Sequence, residues 1–335
     1  MSKDISSQRQ SKALTSTAAV VVLAIICCAL WGSAVPGVRA GYKIMGISKG
    51  DTGSQLMFAG IRFFLAGLTI VLGYSIITKS WHKPNKLELK SAFKLSLFQT
   101  TIQYVFYYSG LAHATGVNAS IMQGISVFVA VIMSCLVFKL ERMTRNKIIG
   151  CVLGFAGMYA ASGAGVINSG FTFNGEGFLL IAAISGATAM IFIRKFSQFM
   201  SPIMLAGMQF AMGGLTLTIL GAILGGNFHM HSPAQLGIMC WLIIVSCVSY
   251  AIWNTLLRDN DVSRIMIYKF TTPIFGVIFS LMVLGSEGAN LGIHTALGLA
   301  LICTGIIVVQ HKKPAANSNA QPTSSKNTPQ ASMKA

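Results

Sequence analysis

Apolar residues in this chain are gathered into long runs separated by short polar stretches, and the runs recur along most of its length. Ten runs approach the ~20 residues needed to cross a hydrocarbon core of about 30 Å. They cover residues 18–38, 56–77, 91–111, 118–138, 147–164, 177–195, 201–224, 235–257, 263–284 and 291–310. In lipid a backbone must satisfy its own hydrogen bonds, so runs of this length predict helices. The fold class read from the pattern is an all-α integral membrane protein with ten transmembrane helices.

Composition agrees and removes other classes. The 335 residues are 53% hydrophobic and only 10% charged, and the mean hydropathy is +0.67, whereas a soluble domain carries about 25% charged residues. The net charge of +17 invites a nucleic-acid reading, but the basic residues flank the apolar runs in short loops. With the N-terminus inside, the inner segments hold 20 Lys and Arg and the outer loops hold three, Arg39, Lys43 and Lys49. The positive-inside rule then predicts a multi-pass protein of the plasma (inner) membrane with both termini cytoplasmic. The basic leader, residues 1–17, carries Lys3, Arg9 and Lys12 in the manner of a signal peptide, but the first run is too long for one and has a counterpart later in the chain. The tail, 311–335, lacks Leu, Ile, Val and aromatic residues and is predicted to be a disordered cytoplasmic segment.

The second half repeats the first at an offset of 146 or 147 positions. Arg62-Phe63-Phe64-Leu65-Ala66-Gly67-Leu68 falls on Gln209-Phe210-Ala211-Met212-Gly213-Gly214-Leu215, Tyr104 on Tyr250, Tyr107 on Trp253 and Glu141 on Glu287. The expected domains are two five-helix repeats, 18–164 and 177–310. Five is odd, so the second enters the membrane from the opposite side and the repeats are inverted. The loop from Lys139 through Lys147 holds four basic residues and its counterpart after Leu284 holds none, as opposite faces require.

Two cations lie inside otherwise uncharged runs: Arg62 and Lys269. A basic side chain at mid-bilayer costs about 2.5 to 3.5 kcal/mol even on lenient insertion scales. Lys269, Thr272, Pro273, Gly276 and Ser280 share one helical face. Pro273 lacks a donor and is expected to free a carbonyl toward a cavity. Lys269 aligns with Gln123 across the repeat. Both cations could instead snorkel to headgroups; for Arg62 that reading, or a structural contact to helix ends, is the preferred one. Matched stripes lie on the third run (Thr100, Gln103, Tyr104, Tyr107, Tyr108) and the eighth (Ser246, Ser249, Tyr250, Trp253, Asn254), with interfacial anchoring as the plain alternative to lining a cavity. The candidate substrate-binding residues are Lys269, Gln123, Tyr104, Tyr107, Tyr250, Trp253, Asn254, Gln103 and Trp31; Pro273, Gly276 and Arg62 are candidate gating or structural residues.

No acid lies deep in any run, which disfavours a proton-for-cation pump and favours neutral, zwitterionic or anionic solutes. The seven cysteines all fall in apolar runs without paired spacing and read as small packing residues. Gly150-x-x-x-Gly154 and Gly221-x-x-x-Gly225 read as internal helix packing, and His229-x-His231 as a solvated pair. No cofactor, metal site or nucleic-acid partner is indicated, and no nucleophile elbow, P-loop or zinc motif supports an enzyme.

The order and spacing of several segments resemble the drug/metabolite transporter superfamily, in its ten-helix EamA-type branch. They are Leu30-Trp31-Gly32-Ser33, Arg62-Phe63-Phe64-Leu65-Ala66-Gly67, Leu140-Glu141-Arg142-Met143-Thr144, and Pro273-Ile274-Phe275-Gly276-Val277-Ile278-Phe279-Ser280 followed by Leu284-Gly285-Ser286-Glu287. The resemblance spans residues 18–310. It implies a basket of two inverted repeats around a central cavity, with the fifth and tenth helices peripheral, and secondary transport by alternating access, most often export of metabolites such as amino acids. Ser126 stands where relatives often carry proline, and Ser286 interrupts the usual Leu-Gly-Glu. The expectation is thus a transporter of a small polar metabolite such as an amino acid or organic acid, partnered by that solute and by the bilayer, with homodimerisation left open. The competing readings are a membrane-embedded enzyme acting on lipid headgroups and a regulatory membrane protein without transport.

Overall fold

The computed structural model describes residues 16–48, 50–113, 116–161, 172–284 and 293–310. The leader, the tail, Lys49 and the Ser286-Glu287 segment lie outside the described residues, so the expectations placed on them are not addressed by it. Every regular element among the described residues is helical. In chain order they are α1 (Thr17–Met45), α2 (Thr52–Thr78), α3 (Lys86–Ser96), α4 (Gln103–His113), α5 (Gly116–Ile132), α6 (Arg145–Ala161), α7 (Phe178–Phe196), α8 (Pro202–Ile223), α9 (Pro233–Asp259), α10 (Val262–Met266), α11 (Thr272–Leu284) and α12 (Ile293–Gln310). Single π turns join α3 to α4 (Leu97–Ile102), follow α5 (Met133–Val137) and precede α7 (Phe173–Gly177), and a 3₁₀ turn (Ile267–Thr271) joins α10 to α11.

Among the described residues six stretches are long and apolar enough to cross a membrane: Thr17–Met45, Thr52–Thr78, Phe173–Phe196, Pro202–Ile223, Pro233–Asp259 and Val262–Phe279. Gly124–Val137 and Ala296–Gln310 are shorter apolar helices. The caps explain where several helices start. Ser16, Asp51 and Ser201 each accept a backbone N–H of the first turn, while Asn85 with Glu88 and Ser232 with Gln235 form reciprocal capping boxes. α1 runs past the expected end at residue 38, so Arg39 and Lys43 belong to its last turns and not to a loop; it stops where Gly46 takes a left-handed φ of 69°.

α2 packs along α8, α6 along α12, α1 against both α9 and α11, and α7 against both α4 and α5. Lipid supplies no hydrophobic drive between helices, so close backbone contact matters. A Cβ on Gly67 would stand 2.3 Å from Ala211 N, and one on Gly214 would stand 2.3 Å from Phe64 N; only glycine lets α2 and α8 meet this closely. Of the two glycine pairs noted in the sequence, Gly150 does pack, facing the Gly305 carbonyl. Gly225 instead turns the chain after α8 at φ 77°.

Candidate functional site

Lys269 sits in the 3₁₀ turn between α10 and α11, about 10 Å along the chain axis from Val262. Its Nζ lies 5.5 Å from the Trp31 ring centre, and Trp31 stands at the middle of α1. The ammonium is therefore aimed into the bundle rather than toward a boundary. Trp31 meets Tyr250 edge-on at 5.3 Å and Trp253 at 4.8 Å. Lys269 and Tyr250 are both half-buried. Among the described residues no hydrogen bond or ion pair engages Lys269 Nζ, and Trp31 Nε1 is buried without a partner. Burying polar groups in this condition is costly.

The chain expected to open a carbonyl at Pro273 closes it instead. Proline cannot donate to Lys269 O, but the 3₁₀ turn lets Thr272 N–H bond that same oxygen. Tyr268 O accepts from Thr271 Oγ1 at 2.8 Å and from Cys28 Sγ at 3.3 Å. The break is thus satisfied internally, and Pro273 shapes the turn without offering a backbone ligand. The close approach of α11 to α1 is set by Gly32, whereas a Cβ on Gly276 would meet nothing nearer than 3.8 Å. A Cβ on Gly32 would fall 2.5 Å from Phe275 Cβ and 2.8 Å from Gly276 N.

Arg62 is placed against expectation. It is 6% exposed, stacks its guanidinium 4.3 Å from the Phe63 ring centre, and makes no hydrogen bond or ion pair among the described residues, with Nε buried and orphaned. Its guanidinium is held by ring stacking, not by a hydrogen bond to a helix end among the described residues. Tyr42, Tyr104 and Tyr250 pack against the cluster that contains Phe63. Tyr104 meets Phe63 at 4.8 Å, Tyr107 at 6.4 Å and Tyr108 at 5.9 Å.

Other candidates are dispersed. Trp253 has no accessible surface and donates from Nε1 toward Met190 Sδ at 3.4 Å, so it backs Trp31 and cannot stack on a solute in this arrangement. Asn254 is fully buried and donates to Pro202 O at 3.4 Å. Gln103 lies against Gly186 of α7. Gln123 is within α5, but its side chain lies outside the described residues. The π turn at Leu97–Ile102 breaks the expected single stripe: Thr100 leaves the tyrosines and donates to Gln209 Oε1 at 2.8 Å, while Ser185 of α7 donates to Phe98 O at 2.7 Å. Two hollows of about 220 Å³ and about 470 Å³ lie apart from these groups, the first by Asp51 and His229, the second between α1 and α12 beside Tyr268.

A fully paired charge went unrecognised in the sequence. The Glu141 side chain is 1% exposed and bridges Lys147 Nζ at 2.8 Å and Arg194 Nη1 at 3.1 Å. It also accepts from Ser134 Oγ at 2.8 Å, from Val262 N at 2.6 Å, and from both the N–H and the hydroxyl of Ser263. Burial pushes the Glu141 carboxyl up, but hydrogen bonds from Lys147, Ser263 and Ser134 and the Lys147 charge outweigh it and hold it below the ordinary value. One carboxylate thereby ties the ends of α5 and α7 to the starts of α6 and α10, where it also takes the first-turn N–H groups of the buried Val262 and Ser263. The signal in the sequence was an acid alone among cations, with Arg194 ending the sixth run.

Known proteins resemble this chain in sequence and in fold. An uncharacterized transporter, YvbV, of Bacillus subtilis (strain 168) is 26% identical over 78% of this chain and 84% of its own length. An uncharacterized transporter of Acidianus ambivalens is 24% identical over 79% and 97%, and a chloroplastic WAT1-related protein of Arabidopsis thaliana is 24% identical over 83% and 66%. A protein crystal structure superposes with a TM-score of 0.70, covering 88% of this chain and 97% of that one at 16% identity, which is a likeness of fold. The sequence model of the EamA-like transporter family matches twice, over residues 18–163 and 173–310. Those two stretches contain both buried cations, the aromatic groups beside them and the Glu141 clamp, and on that match the chain belongs to the EamA-like transporter family.

Proposed function

We propose that this transporter moves a small polar metabolite, an amino acid or organic acid, out of the cell by alternating access across the plasma membrane. The observation that carries the reading is Lys269: an ammonium directed into the bundle over Trp31, whose ring also meets Tyr250, with no acidic partner among the described residues. A solute carboxylate supplies the missing countercharge, and the rings supply apolar contact. Gln123, Tyr104 and Tyr107 are assigned to orienting the solute.

The inverted ten-helix arrangement belongs to the same proposal. Advancing every helical segment by one repeat exchanges the α1–α9 contact with the α7–α4 contact, and the α1–α11 contact with the α7–α5 contact. It returns α2–α8 and α6–α12 to themselves, as a twofold-related pair requires. With both termini cytoplasmic, Glu141 falls on the inner face, and the Gly32–Phe275 approach serves as a closed constriction that must part during the cycle.

Counterflow in proteoliposomes, run against amino acids and organic acids, tests this. The expected result is saturable exchange of at least one organic acid or amino acid, lost in Lys269→Met while the folded, monodisperse protein is retained. Unchanged kinetics in that variant overturn the role of Lys269.

A further inference from the structure

We infer that Arg62 forms a second anion subsite, which binds the carboxylate of an organic acid with an apolar or aromatic body, apart from the Lys269 station. The inference rests on the transport reading for its purpose but on separate residues for its chemistry.

A buried guanidinium ordinarily has a carboxylate or a set of carbonyls to take its five N–H donors. Arg62 has neither among the described residues, although it is 6% exposed and stands ten residues into α2, about 15 Å from Thr52. Phe63 covers one face of the guanidinium plane, which leaves the edge and its Nη donors for a planar acceptor. A carboxylate matches that fork with two parallel bonds. Tyr42, Tyr104 and Tyr250 pack against the same cluster as Phe63. Phenolic hydroxyls can donate to the outer lone pairs of a bound carboxylate, and the Tyr104, Tyr107 and Tyr108 rings offer contact for an apolar body.

The two cations are connected through rings. From Lys269 the series runs to Trp31 (5.5 Å), Tyr250 (5.3 Å), Phe210 (4.6 Å), Phe63 (4.9 Å) and Arg62 (4.3 Å). Phe63 and Phe210 are fully buried and form the rigid middle of this series, while Trp31, Tyr104 and Tyr250 keep reachable surface. An organic anion thus meets a cation with aromatic neighbours at each end. Two like charges separated by packed rings make successive stations and do not merge into one site, so each holds the anion less tightly than a combined site and release remains fast.

The test uses the purified full chain in lipid nanodiscs, with phenylacetate as probe and phenylacetamide as its neutral counterpart. Wild-type protein is expected to bind phenylacetate, read by tryptophan fluorescence and by the thermal midpoint, and to ignore the amide. Lys269→Met is expected to keep part of this binding. Adding Arg62→Gln to it should remove the remainder, a drop of at least tenfold, whereas Arg62→Lys should lose less because it keeps the charge without the fork. In wild-type protein, phenylglyoxal labelling of Arg62, followed by mass spectrometry, should be slowed by phenylacetate and not by the amide; this reads the residue without any substitution. Absent phenylacetate binding, a residual affinity indifferent to Arg62→Gln, or labelling that phenylacetate leaves unchanged overturns the subsite. Binding of this pattern without counterflow removes the transport reading and keeps the subsite. Counterflow that depends on Lys269 while Arg62→Gln leaves phenylacetate affinity intact does the reverse.

Discussion

Glu141 and Lys269 are both ionisable groups inside the protein, yet their surroundings are opposites. Glu141 has two cationic partners together with backbone and hydroxyl donors, all five residues drawn from four segments. Lys269 has a ring beneath it and no acid among the described residues. A carboxylate saturated in this way has no capacity left for a ligand and acts by holding helix ends together. A cation left unsatisfied costs stability in the resting protein and recovers that cost only when an anion arrives. Saturation separates the structural charge from the ligand-binding one more sharply than depth in the membrane does.

The widest gap between them should appear on deletion. Glu141→Ala leaves Lys147, Arg194 and the first N–H groups of α10 without their acceptor, and should destabilise by about 3–5 kcal/mol; denaturation of the detergent-purified protein, with size-exclusion homogeneity, measures it. Lys269→Met should do the opposite, removing an uncompensated charge and raising stability by about 1–3 kcal/mol while abolishing counterflow. If both variants lose stability, the contrast drawn from their partners is wrong.

A smaller effect probes the helix contact between the two regions. Gly32→Ala sets a methyl group against Phe275 Cβ and Gly276 N, and overpacking of this kind costs about 1–3 kcal/mol. Because the collision lies at the α1–α11 constriction, the variant should slow counterflow more than it weakens phenylacetate binding at equilibrium. Equal losses in the two assays would place the strain elsewhere.

The mildest test is acid. The Glu141 carboxyl titrates below the ordinary value of 4.5 in the folded protein, so the unfolded chain takes up the proton first as pH falls. Its contribution is complete above that ordinary value and disappears as pH drops through the lower, folded one. The stability of wild-type protein should fall in that range. Glu141→Gln, less stable to begin with, should lack this component of the fall, and parallel acid profiles would remove Glu141 as its source.

Much of the fold was legible because lipid imposes a length and a periodicity that residues report directly. Trp31, Tyr250 and Lys269 were all named from the sequence, and Lys269 and Tyr250 each stand against the Trp31 ring. The stripe of Thr100 with the tyrosines was not legible, because the π turn at Leu97–Ile102 changes the angle between successive residues and sends Thr100 to Gln209. Pro273 misled for a related reason: the missing donor is visible in the sequence, but its replacement by Thr272 N–H depends on a local tightening to 3₁₀ geometry. Arg62 looked like a boundary residue because burial and stacking on Phe63 cannot be read from its position in a run.

By itself, the sequence determined an all-helical membrane chain, duplicated within itself and without an acid deep in any apolar run, with two cations in apolar surroundings. Those properties derive from composition, run length and repeat, which are sums over local residues. Which charge is saturated and which is left open was decided only in the tertiary structure. Glu141 draws its partners from residues 134, 147, 194 and 263, and Lys269 meets a ring from residue 31. Pairing of charges is a property of distance in space, and these distances are set by how the helices pack.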